Sequence, residues 1–384
     1  MIKETMNPVE RIKAAVRFEK TDRTPLVLAF SSPLLGKLKG LTAAESYRNL
    51  PLVIEAEEEL WQEFGGWDLR YGPIGLHDVG QTYPFGAHFW SIPRAMPGVD
   101  LPDYADVQNR EIQLMGPDGY DRLKEMGWYA FWCEQVNSTY NRSYTVEQAQ
   151  STDFMKVKVE RAKKWSAAHG TQVLYSASVM DPVNLLSTWR TASEFLLDLR
   201  YQPKKVQECV HDIIMPVFLK AYEAEVKASE CDVIMVPAAT FQQPFINAEN
   251  FEILQGDWIR GCTDIIIGEG KIPVYHLDSN WDEAIYWFKE NVPYRKGVMH
   301  LGGESDIFKA KEILGDHMCL MGDASCVAMQ VCKPDEIREY YKKLVDVIGA
   351  DNGYIMCEGC FLSAHTNLDN VRAIVDVAKN YMPR

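Results

Sequence analysis

Short apolar runs recur along the second half of the chain at intervals that leave room for a helix between them. They are Ile272-Pro-Val-Tyr-His276, Gly297-Val-Met-His-Leu301, Met318-Cys-Leu-Met321 and Gly353-Tyr-Ile-Met356. Strands alternating with helices predict a parallel sheet. Four more candidates precede them at residues 25–30, 67–71, 172–178 and 232–236, rich in β-branched or aromatic residues and bounded by turn formers. Eight parallel strands with helices between them specify an α/β fold of the closed (β/α)8 TIM-barrel type, one domain over residues 1–384.

Helix signals fill the gaps. Residues 192–200 form a helical stretch that ends near Gln202, and Pro203 then starts a long helix at the first position, where its missing N–H is tolerated. Residues 333–344 repeat the proline-led start, with acids in the first turn and bases later, matching the helix dipole. Thr366-Asn-Leu-Asp369 reads as a variant capping box for the last helix, whose apolar face is Val371, Ile374, Val375 and Ala378. Residues from about 75 to 150 break the repeat. The aromatic-dense stretches Gln81-Thr-Tyr-Pro-Phe-Gly-Ala-His-Phe-Trp90 and Gly127-Trp-Tyr-Ala-Phe-Trp132 have no clear period. They predict an insertion between strands 2 and 3 that folds over the barrel mouth, its aromatics either facing a substrate or packing as in any surface loop.

A net charge of −14, with no stripe of Lys and Arg, argues against a nucleic-acid partner and against docking on anionic lipid. No apolar stretch approaches the roughly 18 residues of a membrane span, and the opening Met1-Ile-Lys-Glu-Thr has no apolar secretory segment, so a cytoplasmic protein is expected. The nine cysteines are scattered and read as reduced thiols, most of them core residues.

The predicted strand ends carry the chemistry. His276, Asp278, Cys326 and Cys360 stand at the carboxyl ends of these strands and are zinc-binding residue types. Asp278 either binds the ion directly or orients His276, and Cys326 competes for the same place. Cys357 and Cys319 read as packing. Asp323 and Glu304 are expected on rim loops, in substrate positioning or proton acceptance or simply as solvated or cap-flanking acids; Gln242 and Gln243 offer amides to a substrate. No dinucleotide glycine motif or P-loop is present.

Two terminal blocks bring a family into view. Asn7-Pro-Val-Glu-Arg-Ile-Lys-Ala-Ala-Val-Arg-Phe-Glu-Lys-Thr-Asp-Arg-Thr-Pro25 resembles the N-terminal signature of the uroporphyrinogen decarboxylase superfamily. The segment from Asn352 to Ala373, with its Gly359-Cys360 turn and Asp369-Asn-Val-Arg-Ala373, resembles the superfamily's C-terminal block, and Leu320-Met-Gly-Asp323 is similar to a further one. The decarboxylases carry an arginine-bearing segment after the first strand, where this chain reads Ser31-Ser-Pro-Leu-Leu-Gly-Lys37; porphyrinogen decarboxylation is therefore not expected. The other branch comprises zinc-dependent, corrinoid-linked methyltransferases with a His-x-Cys pattern followed much later by Gly-Cys. His276-Leu-Asp278 and Gly359-Cys360 match it with aspartate in place of the first cysteine. One thiolate fewer leaves zinc a stronger Lewis acid, suited to polarising an ether oxygen.

The resemblance thus implies transfer of a methyl group from an O-methyl substrate, a methoxylated aromatic being favoured, to Co(I) of a separate corrinoid protein. Zn2+ would be bound here, while cobalamin would belong to the partner, since this chain has no Asp-x-His-x-x-Gly segment. A homodimer is compatible with that reading. The alternatives are a methylcobamide:thiol methyltransferase, a decarboxylase-like lyase and a metal-free binding protein.

Overall fold

A computed structural model describes residues 2–72, 94–110, 112–151, 153–177, 179–238 and 245–382. The strands are β1 (Val27–Leu28), β2 (Leu69–Arg70), β3 (Arg94–Ala95), β4 (Gln108–Asn109), β5 (Gln172–Val173), β6 (Val233–Ala238), β7 (Ile272–Leu277), β8 (Val298–Leu301), β9 (Cys319–Ala324) and β10 (Tyr354–Glu358). Parallel ladders run β1-β2-β5 and β10-β9-β8-β7-β6. A parallel bridge between Leu26 and Met356 joins the two sheets. At the remaining junction, side chains take over from the ladder: Asp232 N donates to Gln172 Oε1 and Gln172 Nε2 to Asp232 Oδ2, each at 2.8 Å. The result is the (β/α)8 arrangement that the apolar periodicity predicts.

Two apolar clusters divide the molecule into an inner and an outer layer. Alternate strand residues, among them Val27, Leu69, Val274, Val298, Met321 and Ile355, fill the barrel interior. The residues between them pack outward against the helices. Ile12, Ala15 and Val16 of helix Pro8–Val16 join the inner cluster from the amino end. That helix begins with a capping box, Asn7 accepting from Glu10 N while the Glu10 carboxylate accepts from Asn7 N.

The strand ends differ from expectation in ways that affect the site. β9 runs on to Ala324, so Asp323 lies within a strand and not on a rim loop. β5 stops after Val173 and turns into a single 3-10 turn over Leu174–Ser176, in which the Ser176 hydroxyl bonds that of Ser229 at 2.7 Å. Between β2 and β5 lie the antiparallel pair β3–β4 and helices Gly119–Met126, Trp128–Tyr140, Val146–Ala149 and Asp153–His169. Trp128, Phe131 and Trp132 are buried core residues, with Trp128 stacked on Trp189 at 5.5 Å. Those three aromatics therefore pack in the core. The stretch from Gln81 to Trp90 lies outside the described residues. Among the described residues, no helix is long and apolar enough to cross a membrane.

Candidate metal centre

Strand alternation turns the candidate histidine inward. Val274 faces the barrel interior, so His276, two residues on, faces it too. β8 pairs with β7 in a register that sets His300 opposite His276, and Val298 defines the inward face of β8 in the same way. The two imidazole centroids lie 4.8 Å apart. Tyr71, which continues the inward face of Leu69, presents its ring edge-on to both, and Phe361 packs edge-on against Tyr71 at 4.9 Å.

Three donor groups meet above this layer. His276 Nε2 lies 3.2 Å from Asp278 Oδ1 and 3.8 Å from Cys360 Sγ. One ligand atom from each residue lies within 4.8 Å of the other two. Tetrahedral zinc, with N or O bonds near 2.0 Å and a thiolate bond near 2.3 Å, separates its donors by roughly 3.3–3.6 Å. The donor types fit that ion, the two spacings from His276 lie close to that range, and three protein donors would leave the fourth position open, as catalytic sites require.

The electrostatics agree with the geometry. Burial disfavours the charged form of His276, but Asp278 and Cys360 outweigh it and raise the ring's pKa to about 10. Burial likewise opposes ionisation of Asp278, yet the charge and hydrogen bond of His276, helped by His300, hold the carboxyl below its ordinary value. A proton shared between these groups is what a bound cation displaces.

Cys360 reaches the rim because two backbones approach closely. A Cβ on Gly359 would lie 2.3 Å from the Gly302 carbonyl oxygen. The chain leaving β10 thus passes directly against the chain leaving β8, and Gly359 is needed for space, its φ lying outside the left-handed region.

The other expected site residues are placed differently. Cys326 begins helix Cys326–Val331 and donates its thiol to the Phe361 carbonyl at 3.4 Å; burial, with the nearby Cys360 and acidic groups, pushes its pKa up to about 12. It stands next to the three-donor group without joining it. Asp323 accepts from Tyr340 Oη at 2.6 Å, and burial raises its pKa to about 6. Glu304 is exposed, its carboxylate folded over Gly302, while its neighbour Asp306 caps helix Ile307–Leu314. Gln242 and Gln243 lie outside the described residues.

A family model described as uroporphyrinogen decarboxylase (URO-D) matches residues 142–381, a span that holds β5 through β10 and all three donors. The chain belongs to the uroporphyrinogen decarboxylase family. A solved structure, a methyltransferase from Methanosarcina mazei, is similar over 98% of this chain and 99% of that chain, with a TM-score of 0.68 at 14% identity. At that identity the likeness speaks for the fold. No curated protein matches the chain. In this member of the uroporphyrinogen decarboxylase family, the segment after β1 forms helix Ser32–Leu38, and the Lys37 ammonium is tied to the Ala364 carbonyl at 3.0 Å.

Sequence reasoning missed His300 and Tyr71. The signal was available, since the alternation that turns His276 inward from Val274 turns His300 inward from Val298.

Proposed function

We propose that this protein is a zinc-dependent methyltransferase that moves the methyl group of an O-methyl substrate, a methoxylated aromatic being the favoured class, to Co(I) of a separate corrinoid protein. The observation that carries this reading is the mixed His276, Asp278, Cys360 group at the carboxyl end of the barrel, where enzymes of this architecture place their chemistry. Bound zinc would supply a Lewis acid that lowers the charge developing on the departing oxygen. The chain's own residues prepare the place. His276 and Cys360 contribute one imidazole and one thiolate, and Asp278 contributes a harder oxygen donor where a second thiolate would give up more charge. The rings of Tyr71 and Phe361 wall the adjoining barrel interior with apolar surface, which suits an uncharged ether.

The test begins with metal content. Zinc should copurify at one equivalent per chain, and His276→Ala and Cys360→Ala should lose it while remaining folded. Methyl transfer from a panel of methoxylated aromatics to reduced corrinoid protein then addresses the substrate class. Asp278→Cys should retain zinc but demethylate more slowly, by at least severalfold. A protein inert on every ether, yet able to methylate a thiol from methylcobalamin, would instead be an acceptor-side methyltransferase.

A further inference from the structure

The donor atom of His276 has a definite tautomer, and the reason lies in residues that are not ligands. His276 Nδ1 is 2.9 Å from His300 Nδ1, and His300 Nε2 is 3.0 Å from the Glu358 main-chain carbonyl. A carbonyl oxygen only accepts, so His300 Nε2 must carry the hydrogen. His300 has no exposed surface, and among the described residues its two ring nitrogens face His276 and that carbonyl. A neutral ring is the form such a dry position admits. With its hydrogen on Nε2, His300 has only a lone pair at Nδ1, which must accept. His276 Nδ1 must therefore donate, and once a cation displaces the proton shared at Nε2, it is the Nε2 lone pair that points at Asp278 and Cys360.

We propose that His300 is a positioning residue that, anchored on the Glu358 carbonyl, holds His276 in the tautomer and orientation that presents Nε2 to the metal. Tyr71, with Oη 2.9 Å from His276 Nδ1, supports the same edge of the ring. The inference rests on the metal reading above and adds residues from two further strands to it. The register of β8 against β7 makes the contact possible by setting His300 directly opposite His276. The anchor on β10 stands two residues before Cys360, so this chain of bonds couples the ligand from β7 to the strand that delivers the thiolate. Because the acceptor is an uncharged imidazole, His276 gains none of the extra donor strength that a carboxylate partner would confer. That keeps the ion electron-poor, as ether activation requires.

Three measurements test this on the intact chain. In the metal-free chain labelled with 15N histidine, long-range proton–nitrogen spectra should show His300 with its hydrogen on Nε2 and a bare Nδ1, and His276 with a hydrogen on Nδ1; His300→Phe and His276→Ala assign the signals. Competition with a chromophoric chelator should then show His300→Phe binding Zn2+ about 10–100-fold more weakly than wild type. His300→Asn, whose side-chain oxygen can occupy the place of Nδ1, should recover most of that loss, and the visible spectrum of the Co2+-substituted protein should shift in the phenylalanine variant and return in the asparagine one. A hydrogen on His300 Nδ1, or a phenylalanine variant that binds Zn2+ within twofold of wild type, overturns the proposal. Should wild type bind no Zn2+ at all, the metal reading fails, and the tautomer spectrum still decides whether His300 sets the state of His276.

Discussion

Burial gives Asp323 a chemistry unlike that of the other acids near the rim. Its carboxyl is 3% exposed, and its pKa of about 6 stands above the ordinary 3.8. A raised folded-state value means that the protonated carboxyl is the stabilising form: the contribution is complete below pH 3.8 and is lost as the pH rises through 6. The difference is on the order of 3 kcal/mol. Asp323→Asn keeps an oxygen for Tyr340 Oη and cannot ionise. Between about pH 4 and pH 7 the unfolding free energy of the wild type should therefore fall relative to that of the variant, as read from urea titrations across that range. Parallel pH profiles would remove Asp323 as the source. The same residue shows how a position near the chemistry can serve packing, since its partner Tyr340 belongs to the outer helix Pro334–Val347.

Local rules locate the elements well and their ends less well. Helix Pro334–Val347 starts at its proline, as the sequence predicts, and Val371, Ile374, Val375 and Ala378 are all buried on helix Leu368–Asn380. That last helix is capped by Asn367, whose side chain accepts from Asp369 N at 3.0 Å, and not by Thr366, whose hydroxyl is buried with no partner among the described residues. A one-residue difference in where the chain enters the helix decides which of the two can reach the free N–H groups. Strand ends at the rim are set by contacts between backbones. Gly359→Ala would drive a methyl group into the Gly302 carbonyl, where no flexible side chain can yield. We expect a loss of about 1–3 kcal/mol in unfolding free energy, and a zinc content well below that of the wild type, because Cys360 must move with the strand end. A variant with normal zinc and an unchanged melting temperature would show that this approach tolerates a side chain.

At the scale of the whole molecule, a buried charge network and the candidate metal centre occupy opposite ends of the barrel. Asp68, just before β2, is fully buried with Arg11 and Arg23, accepting from Arg11 and from Arg23 Nη1 at 2.6 Å, and its carboxylate also accepts from Leu26 N at 2.8 Å. Arg11 is held further by Asp22 and Glu4. This network fastens the helix that fills the amino end to the first two strands. Removing one member of a buried charge group leaves the others desolvated and unmatched, so Asp68→Ala should cost about 3–5 kcal/mol. The metal content of the folded variant should be unaffected, since the donors lie at the carboxyl end. Chemical denaturation combined with metal analysis separates the two effects, and a variant as stable as wild type would show that the remaining acids suffice.

The sequence by itself determined what depends on neighbours along the chain. Short apolar runs placed the strands, prolines placed helix starts, and zinc-type residues at the ends of those runs picked out His276, Asp278, Cys326 and Cys360. Only the tertiary structure decided what depends on distance through space. His276 and Cys360 are 84 residues apart in the chain, and their convergence follows from the parallel register of β7 through β10. The same register brings His300 against His276, leaves Cys326 bonded to the Phe361 carbonyl beside the group, and ties Asp323 to an outer helix. Residue type states which atoms could bind a metal. Strand register and the close approach of Gly302 to Gly359 determine which of them can do so together, because a site is a set of distances and a linear pattern contains none between remote positions.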